Sequence, residues 1–573
     1  MDKKWQLRAI EDKGIVSNLA KSLNIEEPLA NILVQRNIHN FEEAKKFFRP
    51  SLKDLHDPFR MKDMDKAVER LNYAISQHQK ILIYGDYDVD GTTSVALVYN
   101  YLSKFHKELG FYVPNRYDEG YGISYRGLDY AHEQEYHLII ALDCGIKATE
   151  KAKYAKSKGI DLIICDHHTP GESLPDAVAV LDPKRSDCPY PYKHLSGCGV
   201  GFKLLQGFTQ NNELPEKDLY NLLDLVVVSI GSDIVPITGE NRILAHYGLK
   251  VLNRNPQMGL KTIIKLAGLD EKEIIISDIV FKIGPRINAA GRMESGKTAV
   301  ELLICKDISP ALTIANQINE INDTRKTLDH DITDKALNQI QVEHTDKEKK
   351  TTVVYSEDWH KGVIGIVASR LIEHHYKPTV VFTKSNGVLS GSARSVQGYN
   401  LYESIESCSH LLDDFGGHMY AAGLTLKPEN LEEFKRCFEA HVSQHILPEQ
   451  LIPRIDVDIE LDKINLITPK FYRVLKQFAP FGPENMKPVF VSRNVYDNGW
   501  AKQVGKNKEH LKLKVISKPG DNLAIDAIGF GFGEYYEAIK DFQPFDICFT
   551  IEENLFMGKT SLQMMIKDII PKK

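Results

Sequence analysis

A chain of 573 residues exceeds what one hydrophobic core usually serves, at roughly 100 to 200 residues per domain, so several units are expected. With 42% hydrophobic and 26% charged residues, it has no apolar run near the ~18 residues of a membrane helix, which excludes a helical span. The formal net charge of −6 supplies no bulk attraction to nucleic acid, so a polyanion would have to meet a local basic patch or bound cations.

Residues 1–55 read as an N-terminal segment. Its first stretch, MDKKWQLRAIEDKG, is charged throughout and lacks the apolar centre of a secretory signal, which implies a cytoplasmic location. Residues 56–245 alternate helix-like stretches with the apolar runs ILIYGD, LIIALD and DLIICD, the pattern of a parallel α/β sheet. Residues 246–345 read as a helical connector. In it Ser309 and Pro310 predict an N-cap and a first-turn proline, and Ala311, Ile314, Ile318, Ile321, Leu328, Ile332, Ala336 and Ile340 form the apolar stripe of one long bridging helix. The polar run His344–Lys350 ends it, and residues 346–450 form a second, smaller α/β unit starting at TTVVYS. From 451 to 573 short alternating runs such as KPVFVSRNV, HLKLKVIS and FDICFTIEE predict a small antiparallel β-barrel. The eight cysteines contain no CxxC pair, which argues against a zinc ribbon or disulfide scaffold and predicts reduced, packed thiols.

The chemistry concentrates at strand ends. Asp86, Asp88 and Asp90 follow the first apolar run, ahead of a helix predicted to begin near Thr92; Asp143 ends the second run, and Asp166, His167 and His168 end the third. Asp233 follows the apolar stretch LLDLVVVSIG. Parallel strands gather such tips at one edge of a sheet, where ligands bind. Carboxylates that crowded repel one another unless cations neutralise them, and a mixed oxygen and imidazole set suits Mn2+ or Mg2+ better than zinc. Two such ions can activate water against a phosphodiester. The adjacent histidines diverge on a loop, one to ligate and one to face a phosphate as proton or hydrogen-bond donor.

DYDVDG, a lone strand-end Asp, DHH and DIVP, in that order, resemble the DHH phosphoesterase superfamily. VPNRYDEGYG, FKIGPRINAAGRM, GSARS and GGHMYAAG resemble, within it, the RecJ family of single-strand-specific exonucleases. The resemblance implies an α/β fold: a parallel-sheet DHH domain joined by a long helix to a smaller DHHA1 domain, followed by an OB-fold barrel. It implies that Asp88, Asp90, Asp143, His167 and Asp233 hold two divalent cations, Mn2+ or Mg2+. Asp86 and Asp166 would be further ligands or orienting groups of the catalytic set, with His168 beside the scissile phosphate. Arg116, Arg286, Arg292, Ser392, Arg394, Gly416, Gly417 and His418 would grip the substrate. In the barrel, Trp500 with Lys502, Lys506, Lys508, Lys512, Lys514 and Lys518 forms a basic strip suited to tracking one strand. The implied activity is 5′ to 3′ removal of mononucleotides from single-stranded DNA in repair and recombination, by a monomer with single-strand-binding protein and a RecQ-type helicase as partners. A phosphoesterase of short oligonucleotides or other small phosphates, or a non-catalytic strand-binding module like the inactive replication-helicase subunit, would share the core. The family's glycine-asparagine-proline run reads GPENMKP here, so that loop does not transfer.

GRMESGKT at 291–298 satisfies the phosphate-loop pattern letter for letter. No apolar strand precedes it, so nucleotide binding is not expected.

Overall fold

The computed structural model describes residues 3–9, 12–343, 349–556 and 558–572. Its first sheet has five parallel strands in the order Leu109–Tyr112, Ile81–Gly85, Leu138–Leu142, Asp161–Cys165 and Ala179–Leu181. Ile81, Ile83, Leu138, Ile140 and Ile163 share a core with helices Met64–Ser76, Val89–Leu102 and Gly197–Asn211. Leu82, Tyr84, Ile139, Ala141, Leu162 and Ile164 pack on the other face against helices Tyr125–Glu133 and Thr149–Ser157. Burial on both faces is why these strands are unbroken apolar runs rather than alternating ones. Each fully buried Ile or Leu contributes roughly 1.5–3 kcal/mol.

The expected connector is not a unit of its own. Leu252, Leu260, Ile263, Leu302 and Leu303 belong to the core of the first unit, so only the long helix bridges. That helix runs Ile308–Glu343, beginning two residues earlier than a Ser309 cap would place it, because the Asp307 carbonyl already accepts from the Ala311 N–H. Pro310 lies in the first turn, where a missing N–H costs nothing. Ala311, Ala315 and Ile318 are buried in the first core, and Ile332, Ala336 and Ile340 in a second one with Val354, Val363 and Leu371. Of the polar run expected to end the helix, 344–348 lie outside the described residues. In the phosphate-loop lookalike, Gly291 sits in the helix Gly284–Met293 instead of following a strand, and exposed Lys297 pairs with Glu301 at 3.7 Å in the helix Gly296–Ile304.

The second unit is a mixed sheet in the order Leu412–His418, Ala421–Leu426, Val388–Arg394, Thr379–Ser385 and Thr352–Tyr355. In the C-terminal unit, strands Phe490–Asp497, Phe545–Phe556, Lys559–Pro571, Ile525–Gly529 and His510–Ile516 pair in turn. The last also pairs with the first, which closes a five-stranded barrel. The N-terminal segment is not separate either. Its strand Lys4–Leu7 pairs in parallel with Arg454–Val457, and Val16, Leu19, Leu29, Ile32 and Leu33 share one core with Phe471, Phe490 and Phe549. Helices of 11, 8 and 8 residues cannot bury a core by themselves, so they cover the barrel.

Candidate active site

Leu142 is in register with both Gly85 and Cys165, so Asp86, Asp143 and Asp166 leave the sheet side by side. The helix expected near Thr92 begins at Val89, with Asp88 as its N-cap accepting from the Gly91 N–H at 3.0 Å. That places Asp90 in the first turn, aimed at a second helix N-terminus. The N–H groups of Gly197 and Cys198 donate to its two oxygens at 2.7 and 2.8 Å, and the Ser229 hydroxyl donates at 2.7 Å. Gly197 must be glycine, because a Cβ there would lie 2.5 Å from the Cβ of Asp143. Asp233 arrives by a helix, Leu223–Ser232, whose C-cap it forms.

Around the His167 ring these groups converge. Its Nε2 lies 3.2 Å from Asp143, 3.6 Å from Asp233 and 3.7 Å from Asp90. Two overlapping triads have ligand atoms within 4.8 Å of one another, Asp143 with His167 and His168, and Asp90 with His167 and Asp233. His167 Nε2, Asp143 Oδ1 and Asp86 Oδ2 are buried without a hydrogen-bond partner. Burial first, then repulsion from neighbouring carboxylates, holds Asp86, Asp88, Asp143 and Asp233 above the usual carboxylate range. Burial pushes His167 down, which favours the neutral imidazole a metal needs. Carboxylate oxygens and an imidazole nitrogen left open in a low-dielectric pocket fit divalent Mn2+ or Mg2+.

Asp166 differs from its neighbours. Its oxygens accept from the N–H groups of Ile146, His167 and His168 and from His168 Nδ1 at 2.7 Å. Burial alone would raise it, but these bonds prevail and bring it down to about 2. Its capacity is thus taken up by orienting His168. Burial would lower His168, and the bond to Asp166 outweighs it and pushes that imidazole up. Tyr121 donates to the Asp143 carbonyl at 2.9 Å and lies 3.3 Å from His168 Nε2.

Beside this centre stands an arginine cluster. The Arg116 guanidinium covers the Tyr87 ring at 5.0 Å, and Arg394 donates to Ser392 Oγ at 3.3 Å. Burial, then the charges of Arg116, Arg394 and Arg325, lowers Arg292 to about 10, leaving it cationic at neutral pH. Arg286, expected in the same groove, is instead bound to Asn319 Oδ1 and the Lys282 carbonyl, where it fastens two helices together. Across the second sheet, Ser392 is in register with Gly423 and Gly416, and Arg394 with Ala421 and His418. Directly paired residues share a face. A Cβ on Gly416 or Gly423 would meet nothing within 4 Å, so this is an open lane beside Ser392, Arg394 and exposed His418. Gly417, at φ +151°, faces the other way against Ala422.

In the barrel, Lys502, Lys514 and Lys512 stand 4.2, 5.4 and 5.8 Å from the Trp500 ring. Lys506 and Lys508 lie in the exposed turn before His510, and exposed Lys518 follows that strand; none of the three is brought to the ring. Asn485 of the divergent GPENMKP loop is buried and donates to the carbonyls of Phe478 and Pro480 at 2.9 and 2.8 Å.

Several participants escaped the sequence: Ser229, Gly197 and Cys198 around Asp90, Tyr87 and Tyr121 over the centre, and Arg325 on the bridging helix. The signal for Gly197 and Cys198 was the run LSGCGVGF, a serine cap ahead of a glycine-rich helix start.

The DHH family N-terminal domain matches residues 80–230, the DHHA1 domain 348–444 and the RecJ OB domain 455–568. The single-stranded-DNA-specific exonuclease RecJ of Bacillus subtilis is 37% identical over 568 residues, covering 99% of this chain and 70% of the relative. That of Escherichia coli is 31% identical over 563 residues, covering 95% and 96%. The chain belongs to the RecJ family. A RecJ crystal structure bound to manganese is 30% identical with a TM-score of 0.60, covering 70% of this chain and 98% of that one. Thermus thermophilus RecJ in complex with Mn2+ has a TM-score of 0.85 at 24% identity, covering 100% and 80%, and bears out the order of RecJ domains.

Proposed function

We propose that this chain hydrolyses single-stranded DNA from a 5′ end, releasing mononucleotides, with two Mn2+ or Mg2+ ions held by Asp88, Asp90, Asp143, His167 and Asp233. The observation that carries this reading is the convergence of carboxylate and imidazole atoms within 4.8 Å, with Asp143 Oδ1 and His167 Nε2 buried and unpartnered, beside a cluster of arginines. Bound there, two divalent ions supply an activated water and neutralise charge on the phosphodiester. The chain's own groups do the rest. Helix N–H groups fix the Asp90 carboxylate, and Asp166 presents His168 as an imidazolium that donates to a substrate oxygen. Asp86, buried beside Asp88 with one oxygen accepting from the Gly122 N–H, adds a further carboxyl to the site. Arg116, Arg292, Arg394 and Ser392 take the terminal phosphate by charge-assisted bonds, and His418 and Gly416 border the lane along which the strand lies. In this reading the groove between the two units admits one strand and rejects a duplex, which is the source of the single-strand selectivity. The barrel, by stacking on Trp500 and phosphate contacts from the surrounding lysines, feeds that strand inward.

The test is degradation of end-labelled DNA by the purified protein with manganese. Loss of single strands but not duplex, with a 5′ label released first as a mononucleotide, is expected; no degradation, or release of a 3′ label first, overturns the reading.

His168→Ala is expected to lower kcat about 100- to 1,000-fold, the range for a lost proton donor, while manganese affinity changes only a few-fold. Single-turnover rates and calorimetric titration check this, and an equal loss of affinity would make His168 a ligand. Trp500→Ala is expected to raise KM about tenfold on long single strands with kcat unchanged, as one lost stacking contact requires. A fall in kcat on short oligonucleotides would contradict it. The family reading also proposes a cytoplasmic monomer that works with single-strand-binding protein and a RecQ-type helicase, checked by sedimentation and by pull-down with each purified partner. Among the described residues, no helix is long and apolar enough to cross a membrane.

A further inference from the structure

The sulfur atoms of Cys408 and Cys437 lie 2.8 Å apart, closer than two thiols rest without bonding and about 0.8 Å beyond a disulfide bond. Cys408 ends the turn after the helix Leu401–Glu406, just ahead of the strand Leu412–His418. Cys437 lies in the helix Leu431–His445, which follows the strand Ala421–Leu426. The pair therefore brackets the hairpin that carries Gly416, Gly417 and His418. Cys408 is buried and Cys437 half-buried, so the two differ in access. Burial first, then its neighbour's sulfur, pushes the Cys408 thiol up to about 12, so it is a poor first nucleophile.

We infer that Cys408 and Cys437 form a reversible dithiol–disulfide site that reacts with a low-molecular-weight disulfide, RSSR, and clamps the base of the substrate-facing hairpin. The thiolate of Cys437 attacks RSSR, forming a mixed disulfide and releasing one RSH. The Cys408 sulfur, losing its proton as it attacks, displaces the second RSH and leaves the Cys408–Cys437 bond. Two protein thiols are oxidised by two electrons, and one RSSR is reduced to two RSH. This step stands on the two sulfurs and not on the proposed nuclease activity.

The experiment is incubation of the full chain with oxidised glutathione, followed by intact mass, peptide mapping and amide exchange. Expected are the loss of two hydrogens, one cross-linked peptide joining positions 408 and 437, and reversal by dithiothreitol. Amide exchange across 412–426 slows at least threefold. Cys408→Ser is expected to stop at the glutathione adduct on Cys437, and Cys437→Ser to give neither adduct nor cross-link at position 408. No 408–437 cross-link in the wild type, or the same thiol loss in the double serine variant, overturns the site. A cross-link with unchanged exchange across 412–426 overturns the clamp.

Discussion

Asp143→Asn is expected to reduce kcat/KM on single-stranded DNA by at least about a thousandfold and, in the same molecule stripped with EDTA, to raise the melting temperature. The two effects have one cause. Asp143 is buried, its Oδ1 lacks a hydrogen-bond partner, and burial together with Asp90, Asp88, Asp233 and Asp166 holds its acid well above the usual range. Without cations that carboxylate is a liability, and an amide of the same shape removes the repulsion and can donate to a neighbour. With cations it is indispensable, since three decades in rate correspond to about 4 kcal/mol, within what charge stabilisation at a two-metal centre supplies. Adding manganese at a hundred times its Kd should return about 2.7 kcal/mol to the wild type and much less to the variant, reversing the order of melting temperatures. Paired melts with EDTA and with manganese, run beside the nuclease assay, check both halves. A stripped variant less stable than the stripped wild type would sink the argument that these carboxylates are held together against their own repulsion.

What could be read from sequence was what local patterning controls. The runs ending in Asp86, Asp143 and Asp166 are apolar because both faces of the sheet are covered, and a parallel sheet must then bring their ends together. The bridging helix was legible because its stripe serves two cores in turn. Interactions that close over long separations left no such trace. Asp90 is oriented by N–H groups 107 and 108 residues away and by a hydroxyl 139 residues away. The strand Lys4–Leu7 finds its partner some 450 residues on, and four residues, although they alternate polar and apolar, are too few to announce a pairing. Arg286 misled for a related reason: its position in the motif is the family's, but the partner that takes its guanidinium, Asn319, stands on another helix. Lys506, Lys508 and Lys518 counted toward a basic strip by composition, while the ring that organises such a strip reaches only the lysines beside it.

Arg242→Ala is expected to lower stability by about 3 kcal/mol or more and to loosen the barrel from the first unit. The buried guanidinium donates to the carbonyls of Phe47, Gln477, Phe478, Ala479 and Pro480 at 2.8 to 3.4 Å and stacks 3.7 Å from the Phe47 ring. It comes from the helix Gly239–Arg254 of the first unit, and its acceptors belong to the helix Phe41–Phe48 and to the turn after Pro469–Lys476, where the helix dipole adds negative potential. Burial, then Arg36, lowers it to about 9, so it remains cationic at neutral pH. In the variant Asn485 still serves Phe478 and Pro480, but Phe47, Gln477 and Ala479 lose this donor, at about 1 kcal/mol or more apiece. Arg242→Lys should not restore stability, because one ammonium cannot reach five carbonyls that a planar fork satisfies at once. Urea unfolding and limited proteolysis check this: an earlier first transition and new cleavage near residues 477–486 are expected. A lysine variant as stable as the wild type would mean that charge alone, and not the fork geometry, joins the two units.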